Sequence, residues 1–209
     1  MMLAALLLVV QVGVAAQDPR LERLDPETRA RVASLVDSAR ALGLPGEPLI
    51  QRALEGAAKG AAGPRIAAAV RRLATDLGTA RTALGGGHRT SAPELEAGVA
   101  ALRAGASPEV LTRLRDARRP PLTMALAVLA DLVASGVHAD SASAVVLAMA
   151  PTARDADLVE FRKAVERDIS LGAPPGASAA VRAANTGIRF GTSDAGQNPS
   201  QPPRPPSRP

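Results

Sequence analysis

Apolar residues recur along most of the chain at steps of three and four, and Gly and Pro interrupt them at regular places. The pattern predicts a succession of short helices. The first is expected over 26–42, where Asp25 can cap it, Pro26 suits its first turn, and Val32, Leu35, Val36, Ala39 and Leu42 form its apolar stripe. A second starts near Pro48 with Leu49, Ile50, Ala53 and Leu54. The third, over 64–84, has the clearest pattern: Ile66, Val70, Leu73, Leu77, Ala80 and Leu84. At about 100° per residue these fall in a stripe about 80° wide, so that helix is expected to pack along a narrow seam. Further helices are expected over 92–104, 108–118, 122–134, 140–150, 153–171 and 175–185. Their start signals are Ser91 with Glu94 as a capping box, Ser107 before Pro108, and Thr152 before an acidic first turn.

The junctions share a grammar. A helix ends on Gly, a few residues follow, and the next helix begins: Gly43 with Pro45, Gly105 with Pro108, Gly136 with Asp140, Gly172 with Pro174. Gly is expected in the left-handed conformation that other residues resist, and Pro pre-sets the first turn of the following helix. The later glycines lie 31 and 36 positions apart, a spacing found in helical-hairpin arrays. Two all-α arrangements satisfy this pattern: antiparallel hairpins in a degenerate solenoid-like array, or an irregular bundle.

Both ends differ from this body. Leu3 to Val14 is almost unbroken apolar sequence, followed by Ala15 and Ala16 and then polar Gln17 and Asp18. This reads as a secretory signal peptide over 1–16, although no Lys or Arg precedes the apolar run. The run is shorter than the roughly 20 residues of a membrane-spanning helix. A helical domain is expected over 17–190. From Gly191 the chain is Gly, Ser, Asn, Gln, Pro and Arg, and residues 191–209 are expected to form a disordered, Pro- and Arg-rich tail.

Composition supports the helical reading. The chain of 209 residues is 46% hydrophobic, with two Phe (Phe161 and Phe190) and neither Trp nor Tyr. Small aliphatic side chains suit closely packed helices better than sheets. There is no Cys, which excludes disulfides, thiol nucleophiles and thiolate metal sites.

Candidate chemistry is sparse. His138 stands near Asp140 and Ser141, but adjacency is not the convergence that a nucleophile, base and orienting acid need, so Asp140 or Ser141 is read as a helix cap. His88 lies fifty positions away, too far in sequence to suggest a metal pair. Asp155, Asp157, Glu160, Glu166 and Asp168 share one helix; the first two suit its dipole, and Glu160 can pair with Lys163. Gly85 to Thr90 resembles a phosphate-cradling loop but lacks the Gly-Lys-Ser/Thr ending and follows a helix, so it is read as a connector. No catalytic residue, metal ligand or cofactor is assigned, and the protein is not expected to be an enzyme.

Charge is more informative. The net charge is +5, and 23 of the 25 basic residues are Arg, the exceptions being Lys59 and Lys163. Between Lys59 and Thr90, six basic residues face one acid, Asp76. A second group, Arg113, Arg115, Arg118 and Arg119, surrounds Asp116, and 131–168 is net acidic. The expected anion-binding residues are therefore Arg65, Arg71, Arg72, Arg89, Arg118 and Arg119. The expected function is an exported, periplasmic or secreted, non-catalytic scaffold or adaptor whose partner is a protein or an anionic envelope component. The alternatives are an exported enzyme built from distant residues and a peripheral binder of anionic membranes. Nucleic acid is disfavoured by export and by the lack of stacking aromatics.

Overall fold

A computed structural model describes residues 18–86 and 90–186; the expected signal peptide and the tail lie outside them. Among the described residues there are nine helices and no strand. They are α1 (Pro26–Ala41), α2 (Glu47–Ala58), α3 (Gly63–Ala83), α4 (Ala92–Ala104), α5 (Pro108–Ala117), α6 (Thr123–Ala134), α7 (Ala139–Met149), α8 (Asp155–Ser170) and α9 (Pro175–Asn185). The all-α expectation is met. None of these helices is long and apolar enough to cross a membrane.

The start signals act mostly as chemistry dictates. Asp25 accepts the Thr28 N–H at 2.9 Å, and Ser91 with Glu94 forms the reciprocal capping box. Two starts differ. The Ser107 hydroxyl turns to Glu109 and makes no cap, and α8 begins at Asp155 with Arg154 as its N-cap, not at Thr152. The four junction glycines have φ of 72°, 109°, 94° and 95°, so each helix ends where a side chain would strain the backbone. A short 3-10 turn over Pro19–Arg23, unsignalled by periodicity, precedes α1 and buries Leu21.

Packing follows an alternating order. α1, α3, α5, α7 and α9 each lie against the next in one layer, while α4, α6 and α8 do so in a second. α2 packs on α3 and α1 of the first layer. This order is that of helical hairpins stacked side by side. One cluster of buried residues runs through both layers from Leu21 to Ala183, and all six stripe positions of α3 belong to it. Leu42 does not: it falls at the C-cap of α1 and is 65% exposed. α3 and α4 approach closely through Gly98, where an added Cβ would lie 3.2 Å from both Ala80 and Leu84. The layering has one break. α2 and α4, which would be neighbours in the second layer, do not pack closely on one another, and the face of α3 between them is left uncovered.

A basic cleft between α2 and α4

The uncovered face of α3 carries Arg65, Ala68, Ala69, Arg72 and Asp76, a stripe spaced by three and four residues. Arg52 from α2 and Arg103 from α4 flank it, and together these residues line a cleft of about 500 Å³. Local sequence explains its shape. Arg65 and Arg72 stand seven positions apart, two helical turns or about 10 Å, with only two methyl groups between them. Long side chains at both ends and short ones in the middle make a hollow.

The cleft is basic because its acid is already engaged. Arg103 Nε and Nη2 both lie 2.8 Å from Asp76 Oδ2, an ion pair that ties α4 to α3. Asp76 is thereby drawn from Arg72, its neighbour four positions earlier. Arg52 donates to Glu55 at 2.9 Å within α2. Arg65 and Arg72 are exposed and have no ion-pair partner among the described residues. For Arg65 the reason is local: Ala61, Ala62, Ala68 and Ala69 occupy the positions three and four away, where an intrahelical acid would stand.

The expected anion-binding set thus divides. Arg65 and Arg72 converge on the cleft. Arg71 is exposed on the same helix but points about 100° away from Arg72 and does not line it. Arg119 is exposed beyond the end of α5, and Arg89 lies outside the described residues. Arg118 is structural, with a side chain 13% exposed that donates to the Ala150 and Ala153 carbonyls and to Asp155. It satisfies the carboxyl end of α7, whose last carbonyls have no helical partner. Arg81 does the same for α1 through Leu42 O, and Arg115 for α3 through Ala83 O. Arg52 and Arg103, which the local charge count passed over, complete the cleft; the one legible sign was an arginine pair seven apart around two alanines.

The other candidates do not assemble. The His138 Nδ1 accepts the Asp140 N–H at 3.4 Å and so caps α7 itself; a nitrogen accepting that bond cannot also carry the proton of an ion pair with Asp140. The five acids on α8 pair with five different bases, Asp155 with Arg118, Asp157 with Arg154, Glu160 with Lys163, Glu166 with Arg162 and Asp168 with Arg182. These hydrogen bonds hold the Asp157 and Asp168 carboxyls below their ordinary range. Among the described residues no group of three His, Cys, Asp or Glu is placed to hold a metal ion. Gly85 and Gly86 have φ of 98° and 53°, and Gly87, His88 and Arg89 of the same loop lie outside the described residues.

Comparison with protein-family models, with curated proteins and with solved structures finds no match.

Proposed function

We propose that the protein is an exported, non-catalytic helical scaffold that holds an anionic partner in the cleft between α2 and α4. The observation that carries this reading is the convergence of Arg65, Arg72, Arg52 and Arg103 on one hollow whose single acid is neutralised by Arg103. A guanidinium is a planar fork of donors that matches carboxylate and phosphate oxygens, so less entropy is lost per hydrogen bond formed than with a lysine ammonium. The non-catalytic part is supported by the dispersal of the α8 carboxylates among separate bases. Export is supported by the apolar 3–14 run and the Ala15, Ala16 ending. A flat membrane surface suits the cleft less well, since the arginines border a concavity and no bulky apolar side chain projects beside them.

The test separates the cleft from net charge. Hexaglutamate is titrated by calorimetry at low salt into the wild type, into Arg65→Glu/Arg72→Glu, and into Arg71→Glu/Arg119→Glu, which changes net charge equally outside the cleft. Binding is expected to fall at least about tenfold in the first double variant and to change less than about twofold in the second. Equal losses in both would mean that only overall charge is felt, and the reading would fail.

A further inference from the structure

The gap between α2 and α4 does not stop at the arginines. Beyond Arg52, which borders both parts, it continues into a second hollow of about 440 Å³ lined by Glu47, Pro48, Gln51, Arg52, Glu55, Leu73 and Glu96. One end of the gap is therefore basic and the other acidic. Within the acidic end, Glu47 is held by Arg20 and Gln51, and Glu55 by Arg52 and Lys59. Glu96, on α4, is exposed and has no hydrogen-bonded partner among the described residues.

This polarity bears on what can lie there. A uniform polyanion long enough to span the gap would bring its far charges against Glu96, the one acid of that end with no base beside it among the described residues, and be repelled, a selection against wrong partners. A chain of mixed charge meets complementary groups at both ends. Nucleic acid lacks that alternation, and the gap offers no aromatic side chain on which a base could stack. Peptide supplies it. In an extended segment with three residues per turn and a rise of about 3.1 Å, side chains at i and i+3 share a face about 9 Å apart. That matches the separation of about 10 Å between Arg65 and Arg72 along α3.

Resting on the proposed anion-binding role of the cleft, we infer that its occupant is an extended segment of a partner protein with two carboxylates three residues apart, followed by a cationic residue that Glu96 selects. Arg65 and Arg72 take the carboxylates, Ala68 and Ala69 allow the backbone to lie close to α3, and Glu96 takes the cation.

The test compares a nine-residue peptide carrying that pattern, Glu-Ala-Ala-Glu-Ala-Ala-Lys-Ala-Ala, with nine-residue polyglutamate, on the full chain at low salt. The mixed peptide is expected to bind the wild type at least about fivefold more tightly than polyglutamate, despite its fewer negative charges. Glu96→Lys is expected to reverse that order, and Arg65→Gln/Arg72→Gln to weaken the mixed peptide at least about tenfold. Circular dichroism of each variant checks that the helices are retained; Glu96 is exposed, so the fold should be unaffected. Polyglutamate binding the wild type as tightly as the mixed peptide, or Glu96→Lys leaving the order unchanged, overturns the inference while leaving an anion-binding cleft intact. Loss of binding in the charge-matched Arg71→Gln/Arg119→Gln as large as in Arg65→Gln/Arg72→Gln overturns the cleft itself.

Discussion

Removing the carboxylate of Glu94 should cost the protein more than removing most of its exposed charges. Glu94 is 4% exposed, and its two oxygens serve different helices. Oε2 accepts the Ser91 N–H at 3.0 Å and the Ser91 hydroxyl at 3.1 Å at the start of α4, while Oε1 accepts the Leu122 N–H at 2.8 Å at the start of α6. Leu122 is 2% exposed, so its N–H has no water to turn to when the acceptor is gone. A buried donor left unsatisfied costs about 1–3 kcal/mol, and loss of one arm of a capping box about 1 kcal/mol. In Glu94→Ala the Ser91 hydroxyl still accepts the residue-94 N–H, so the sum is about 3 kcal/mol. For a domain of this size that corresponds to a fall of about 6–12 °C in Tm. Glu94→Gln keeps one acceptor oxygen and turns an N–H toward the other donor, so about half that loss is expected. Thermal melts and urea titrations report the two costs, and exchange of the Leu122 amide shows where they arise. A Glu94→Ala protein melting within about 2 °C of the wild type, with the Leu122 amide still protected, would refute the reasoning.

Gly105→Val should destabilise by about 1–2 kcal/mol in urea titration, because φ there is 109° and the new Cβ would also lie 3.3 Å from Ala139 Cβ. The Asp18, Arg20, Glu47 cluster should give the stability curve an acid limb. Hydrogen bonds from Arg20 hold both carboxyls at about 2, below unfolded values of about 4. The cluster's contribution is therefore complete above about pH 4.5 and lost as pH falls toward about 2. Arg20→Gln should reduce the steepness of unfolding over that window, as followed by acid titration of the helical signal.

Helix positions were legible to within a residue or two at most ends because period and punctuation are local properties. Gly43, Gly105, Gly136 and Gly172 announced their turns for the same reason. The 3-10 turn at Pro19–Arg23 was not legible, since five residues hold too little pattern; what fixes it is distant, Arg20 meeting Glu47 at 2.7 Å. Nor could periodicity tell that Leu42 would leave the core, because its fate depended on α1 ending one residue earlier. The choice between array and bundle rests on which helices touch, information that sequence spacing suggests only through its period.

The site was half legible, and the missing half has a single physical cause. An arginine near a helix end or on a helix face reads alike whether it binds a carbonyl, an internal acid or a partner. Here the deciding groups lie one helical hairpin away: Arg115 meets Ala83, Arg118 meets Ala150, Arg81 meets Leu42 and Arg103 meets Asp76, at separations of 32, 32, 39 and 27 residues. Stacked hairpins bring the end of one helix against the side of another, so an uncapped carboxyl end in one layer position is met by a long donor from the next. Local charge density therefore counts the same arginines twice, once as surface and once as caps. Subtracting the basic residues that close helix ends or answer an internal acid removes Lys59, Arg81, Arg115 and Arg118 from the basic segments and leaves Arg65, Arg71, Arg72, Arg113 and Arg119 among the described residues, of which Arg65 and Arg72 line one cleft beside Ala68 and Ala69. These two are unspent because the helical neighbours of Arg65 are alanines, the acid nearest Arg72 on its helix is taken by Arg103, and the second layer is open above them. The same gap that weakens the packing of α2 on α4 is thus what leaves two guanidinium groups, unpaired among the described residues, facing solvent.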